Sequence, residues 1–202
     1  MKKLTGEQFM HMVDAACITA TMSFSSQRDL VEKSLKYGYK QVYGFASYYD
    51  YLIENLKGTV TGVGGGVGSS LGAGTERTEV KVFETKTYMD LGCDEIDMWM
   101  NIAALKNAEF DYVVKDIQAV RAAMKPGHNL KVIIEPATLT EEQIELAVQC
   151  VIDGGADFIL TQQVFALINA YFAHGLPPFH RGFQGLGQGQ LPAEGGPGPF
   201  FQ

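Results

Sequence analysis

Cysteine is scarce in this chain. Cys17, Cys93 and Cys150 are widely spaced and odd in number, which excludes a disulfide framework and a zinc knuckle and fits buried thiols in a reducing compartment. Long apolar runs are absent. No stretch of about 18 apolar residues occurs, and the charged start at Met1-Lys2-Lys3 is not followed by the apolar segment of a signal peptide. No membrane partner is expected, and the cytoplasm follows by elimination. Clusters of lysine or arginine are missing too, and with a net charge of −7 the chain is a poor match for nucleic acid. Nothing in the sequence calls for a metal or another cofactor.

What remains is enough for one buried core: 202 residues, 46% of them hydrophobic and 19% charged. Thr5-Gly6-Glu7-Gln8 and Thr140-Glu141-Glu142-Gln143 have the spacing of capping boxes and open two helices. Ser25 or Ser26 caps a helix from Gln27 to Tyr37 that Gly38 stops. Further helices are expected over 47–57, from Thr75 or Thr78 to Leu91, and over 109–124. On the helix that ends at Leu91, Val80, Phe83 and Thr87 share a face. Strands are expected over 13–18, 40–45, 59–63, 95–101, 130–135 and 156–161. The glycine-rich stretch Gly62 to Gly74 satisfies neither G-x-G-x-x-G nor a P-loop, so it reads as a flexible strand-to-helix loop and not as a phosphate cradle. Alternating strands and helices imply parallel right-handed crossovers, which a doubly wound sheet and a (β/α)8 barrel satisfy equally. Past Tyr171 the alternation stops. Eight of the 23 glycines and five of the seven prolines lie there, and Arg181 and Glu194 are its only charges apart from histidine. The chain therefore divides into an α/β domain over 1–170 and an irregular Gly/Pro-rich tail over 171–202.

The strand around Glu95-Ile96-Asp97-Met98-Trp99-Met100-Asn101 carries the clearest sign of chemistry. Ile96, Met98 and Met100 occupy one face and Glu95, Asp97, Trp99 and Asn101 the other. Both faces look covered, and a covered carboxylate is costly unless it is paired or functional, which singles out Asp97. The competing reading is that Asp97 only accepts hydrogen bonds from a neighbouring loop.

Four separated motifs resemble the deoxyribose-phosphate aldolase family in order and spacing: Thr78-Glu79-Val80-Lys81-Val82-Phe83-Glu84-Thr85-Lys86; Gly92 to Met98 with Asn101 to Lys106; Leu130-Lys131-Val132-Ile133-Ile134-Glu135; and Gly155-Ala156-Asp157-Phe158-Ile159. The likeness runs from about Met12 to Phe165. It implies a (β/α)8 TIM barrel, here incomplete with about six βα units. It also implies a class I aldolase of deoxyribonucleotide catabolism, which cleaves 2-deoxyribose 5-phosphate reversibly to glyceraldehyde 3-phosphate and acetaldehyde through a lysine Schiff base, without metal. Asp97 matches the family's proton-handling aspartate on strand four, and Lys131 a lysine on strand five near the active site. The alternative for Lys131 is a packed stem with its ammonium in water. Asp14 matches the acid that opens strand one, and Asp14 and Thr161 are the expected substrate contacts. The partner implied is a small sugar phosphate or aldehyde, with a homo-oligomer as a further expectation.

Two departures stand out. The family's nucleophile lies in Phe-Ile/Val-Lys-Thr-Ser-Thr-Gly, whereas this chain reads Phe158-Ile159-Leu160-Thr161-Gln162-Gln163-Val164, and an alkyl side chain at Leu160 cannot form an iminium. Strands seven and eight have no counterpart, which leaves the first and sixth strands as open edges. Deleting one T from ACT TCA ACA GGT turns Thr-Ser-Thr-Gly into the Thr161-Gln162-Gln163-Val164 seen here, so the tail is expected to be an out-of-frame translation. The expected function is that of an aldolase-like chain with little or no turnover. The alternative is a non-catalytic sugar-phosphate binder or scaffold.

Overall fold

The computed structural model describes residues 4–69 and 72–161. The tail, the domain boundary at 170 and the frame shift after Thr161 lie outside the described residues. The elements run α1 (Gly6–Met10), β1 (Asp14–Ala16), α2 (Phe24–Tyr37), β2 (Gln41–Tyr43), α3 (Tyr49–Leu56), β3 (Gly62–Val67) and α4 (Thr78–Leu91), followed by β4 (Glu95–Trp99), α5 (Ile102–Lys106), α6 (Phe110–Ala123), β5 (Asn129–Ile133), α7 (Glu141–Gly154) and β6 (Phe158–Leu160).

All six strands are parallel and lie in the order β1-β2-β3-β4-β5-β6. A doubly wound sheet reverses its strand order at a switch point, and this one does not. Curvature completes the distinction. Lys131 on β5 reaches Asp14 on β1 at 2.5 Å, although four inter-strand spacings would separate those strands by roughly 19 Å in a flat sheet. The sheet is therefore curled into most of a barrel, with the helices outside. Among the described residues, β1 pairs only with β2, and β6 only with β5.

Both capping boxes form as their spacing predicts, Thr5 with Gln8 and Thr140 with Gln143. Helix α2 starts three residues before the expected Gln27, where Phe24 packs against Tyr48 and Tyr51 at ring-centroid distances of 5.0 Å. On α4 the face shared by Val80 and Phe83 is turned outward, the two being 45% and 70% exposed, and the helix instead buries Lys81, Thr85 and Met89. A lysine can take the inner face here because its ammonium is paired, 2.6 Å from Asp116 on α6.

The largest correction concerns the glycines. Gly62–Val67 is a full strand and not a loop. Its lack of side chains is used by its neighbours: a Cβ on Gly64 would lie 2.1 Å from Tyr43 Cε1, and one on Gly66 would meet the Trp99 ring at 3.3 Å. The barrel interior is thus filled from β2 and β4 across a bare β3. Gly64→Ala is expected to cost about 1–3 kcal/mol in urea unfolding, the range for overpacking. In a Tyr43→Ala background the same substitution should cost far less.

Candidate active site

Alternation along each strand decides which side chains look into the barrel. On β4 the inward set is Glu95, Asp97 and Trp99, and the ladder pairs Asp97 with Lys131 and Trp99 with Ile133. On β2 the inward residues are Gln41 and Tyr43, and on β1 Asp14 stands beside Gln41. These positions converge on the Lys131 ammonium. It donates to Asp14 Oδ2 at 2.5 Å and to Tyr43 Oη at 3.2 Å, contacts Glu95 Oε1, and lies 3.9 Å from Asp97 Oδ1. The Tyr43 hydroxyl lies 2.7 Å from Glu95 Oε1 and 2.8 Å from Asp97 Oδ1. Glu95 also accepts from Asn129 Nδ2 at 3.3 Å and has the Lys40 ammonium at 3.9 Å.

The cluster is dry. Exposure is 0% for Glu95, 3% for Lys131, 7% for Tyr43 and 8% for Asp97. Burial pushes the Asp97 carboxyl up to about 7, against the pull of the Lys131 charge and the Tyr43 hydroxyl, with the Glu95 and Asp14 charges adding to the rise. Burial alone would lower the Lys131 ammonium, but Asp97, Asp14 and Glu95 together hold it above the ordinary lysine value. The Tyr43 phenol is raised, first by burial and then by the Asp97 and Glu95 charges. The reading of Lys131 as a solvent-seeking ammonium is therefore overturned, because four acidic or hydroxylic groups surround it inside the barrel.

Of the residues singled out from sequence, Asp97, Lys131 and Asp14 come together. Thr161 does not; it lies just past β6, exposed, and no hydrogen bond or ion pair of the cluster reaches it. Sequence reasoning placed Glu95 on the Asp97 face without giving it a role, although two acids at i and i+2 of one strand must share a face. Tyr43 was missed altogether, since only the register reveals it. Leu160 pairs with Ile133 and so faces inward one step beyond Lys131. Among the described residues the indole Nε1 of Trp99, at the same level, is buried without a hydrogen-bond partner.

No protein-family model matches the chain. Sequence comparison finds the deoxyribose-phosphate aldolase of Finegoldia magna, 38% identical over 154 residues, which are 76% of this chain and 71% of that protein. The deoxyribose-phosphate aldolase of Bacillus subtilis is 39% identical over 137 residues, covering 68% of this chain and 60% of the relative. Among solved structures, one described as a deoxyribose-phosphate aldolase from Coccidioides immitis superposes with a TM-score of 0.75 at 29% identity, over 81% of this chain and 63% of that one. The aldolase QR15 gives 0.69 at 28% identity, over 75% and 66%. The chain thus spans just under two thirds of these two solved structures. Its incomplete TIM barrel, with an acid–lysine cluster inside, belongs to the deoxyribose-phosphate aldolase family.

Proposed function

We propose that this chain keeps the proton-handling half of a deoxyribose-phosphate aldolase site and has lost the covalent half. The substrate class by family membership is a 2-deoxy sugar phosphate, cleaved between the carbons α and β to a masked carbonyl. In this reading Asp97 is the acid–base residue, and Lys131 is an electrostatic partner that holds the neighbouring carboxylates in place. The nucleophile's place is taken by Leu160, which has no electron pair to offer a carbonyl.

The observation that carries the reading is the surroundings of Lys131. An amine attacks a carbonyl only as the free base, and an ammonium held by Asp14 and Glu95, with its pKa raised, keeps its proton at neutral pH. Lys131 is therefore a poor substitute for the missing lysine. A non-catalytic sugar-phosphate binder is the second reading, favoured by the buried Trp99 Nε1 at the level of Leu160, a donor without a hydrogen-bond partner among the described residues.

Borohydride reduction in the presence of acetaldehyde, followed by peptide mass mapping, tests the proposal. No adduct is expected on Lys131, and turnover of 2-deoxyribose 5-phosphate should fall far below the roughly 10 s⁻¹ typical of enzymes. A reduced adduct on Lys131 accompanied by turnover would overturn it. Thermal stabilisation by 2-deoxyribose 5-phosphate without turnover selects the binding reading.

A further inference from the structure

The hydrogen bonds around Tyr43 do not balance unless the site holds an extra proton. A phenol has one hydrogen to give and two lone pairs to receive with. The Tyr43 oxygen accepts from Lys131 at 3.2 Å and at the same time lies 2.7 Å from a Glu95 oxygen and 2.8 Å from an Asp97 oxygen. Its single hydrogen satisfies one carboxyl. The other contact is a hydrogen bond only if that carboxyl is itself an acid and donates to the phenol.

The surroundings decide which one. Glu95 receives Lys131 and Asn129 and has Lys40 within 3.9 Å, all of which favour the anion. Asp97 has Lys131 no closer than 3.9 Å. The titratable groups facing Asp97 are Asp14 from β1, Tyr43 from β2, Glu95 from its own strand and Lys131 from β5. Tyr49 of α3, whose hydroxyl accepts from the Gly66 backbone, completes the set.

We propose that Tyr43 is a positioning residue that gives its hydrogen to Glu95 and receives one from Asp97, so that the resting barrel offers an incoming ligand oxygen a neutral carboxylic acid. When that oxygen takes the proton, the Asp97 O–H bond breaks, its electron pair stays on the carboxylate, and a new O–H bond forms on the ligand. The Tyr43 hydrogen then swings from Glu95 to Asp97 and meets the new charge without a second proton transfer. Glu95 keeps Lys131 and Asn129. The ligand step rests on the aldolase-like reading above, whereas the proton count concerns the ligand-free protein and is tested there.

The test is a carbon-13 NMR titration of the full-length chain labelled at the aspartate carboxyls, with Asp97→Asn identifying the resonance. In the wild type Asp97 should titrate near 7. Tyr43→Phe keeps the ring over Gly64 but removes the hydroxyl that meets the new charge on Asp97, and should raise that midpoint. Glu95→Gln, which removes a neighbouring negative charge, should lower it. A filling role for the ring alone would leave the midpoint unmoved and would overturn the proposal, as would a fall in Tyr43→Phe or a wild-type Asp97 already ionised at pH 5. Should Tyr43→Phe fail to fold, infrared spectra decide: a carbonyl band of an un-ionised carboxyl at pH 6, lost in Asp97→Asn, supports the proposal, and its absence from the wild type overturns it.

Discussion

Replacing Lys81 with alanine should lower the stability of the chain by about 3–5 kcal/mol, the usual result of stripping one partner from a buried ion pair. Lys81 and Asp116 are 0% and 1% exposed, and their charged atoms are 2.6 Å apart. Thr78 donates to the other Asp116 oxygen at 2.6 Å, and the Lys81 ammonium lies 3.3 Å from the Trp99 carbonyl. The pair thus ties α4 to α6 and both to the end of β4. Alanine would leave the Asp116 carboxylate facing apolar surroundings with Thr78 as its remaining donor. For a chain of this size the loss corresponds to a fall in Tm of roughly 6–20 °C. The double substitution Lys81→Met with Asp116→Leu removes both charges together and should recover most of the loss. A fall in Tm of only a degree or two for Lys81→Ala would show that the pair contributes little.

Asp97→Asn should stabilise the protein, and only above acidic pH. The Asp97 carboxyl rises from 3.8 to about 7 on folding, so between those values the folded state holds a proton that the unfolded state has released. Stability in the wild type must then fall as pH climbs through that window and level off above it. About three pH units correspond to roughly 4 kcal/mol. Asparagine carries no titrating proton, so the variant's advantage should be near zero at pH 4, grow through pH 5 and 6, and reach a plateau near pH 8. Urea unfolding of both proteins across this range measures the difference directly. A constant offset at every pH would mean that Asp97 is ionised throughout and that its cost, if any, lies elsewhere.

The fold and half of the site were legible in the sequence because they follow from local rules. Capping boxes at Thr5 and Thr140 depend on residues three apart, and the inward pairing of Glu95 with Asp97 needs only the two-residue period of a strand. The resemblance of the Asp97 and Lys131 motifs to known aldolases supplied the barrel, which periodicity alone left open. What escaped notice depends on register. Gly62 to Val67 looked like a loop because glycine is a poor strand former by itself. It becomes one here because Tyr43 and Trp99, brought alongside by neighbouring strands, need the space that a side chain would fill. The outward face of Phe83 was equally hidden, since nothing near Lys81 in sequence announces that Asp116, 35 positions later, will neutralise it.

The bond between Lys131 and Asp14 spans 117 residues of chain. During synthesis at 5–20 residues per second, the first strand is out of the ribosome roughly ten seconds before its cationic partner has been made. Asp14 therefore waits in water, and although its strand can pair with the second, the carboxylate has no cation from across the barrel until the fifth strand arrives. Closure of this barrel wall is a late event, reached only after most of the described chain has been translated, and its rate is governed by a long loop and not by local helix formation.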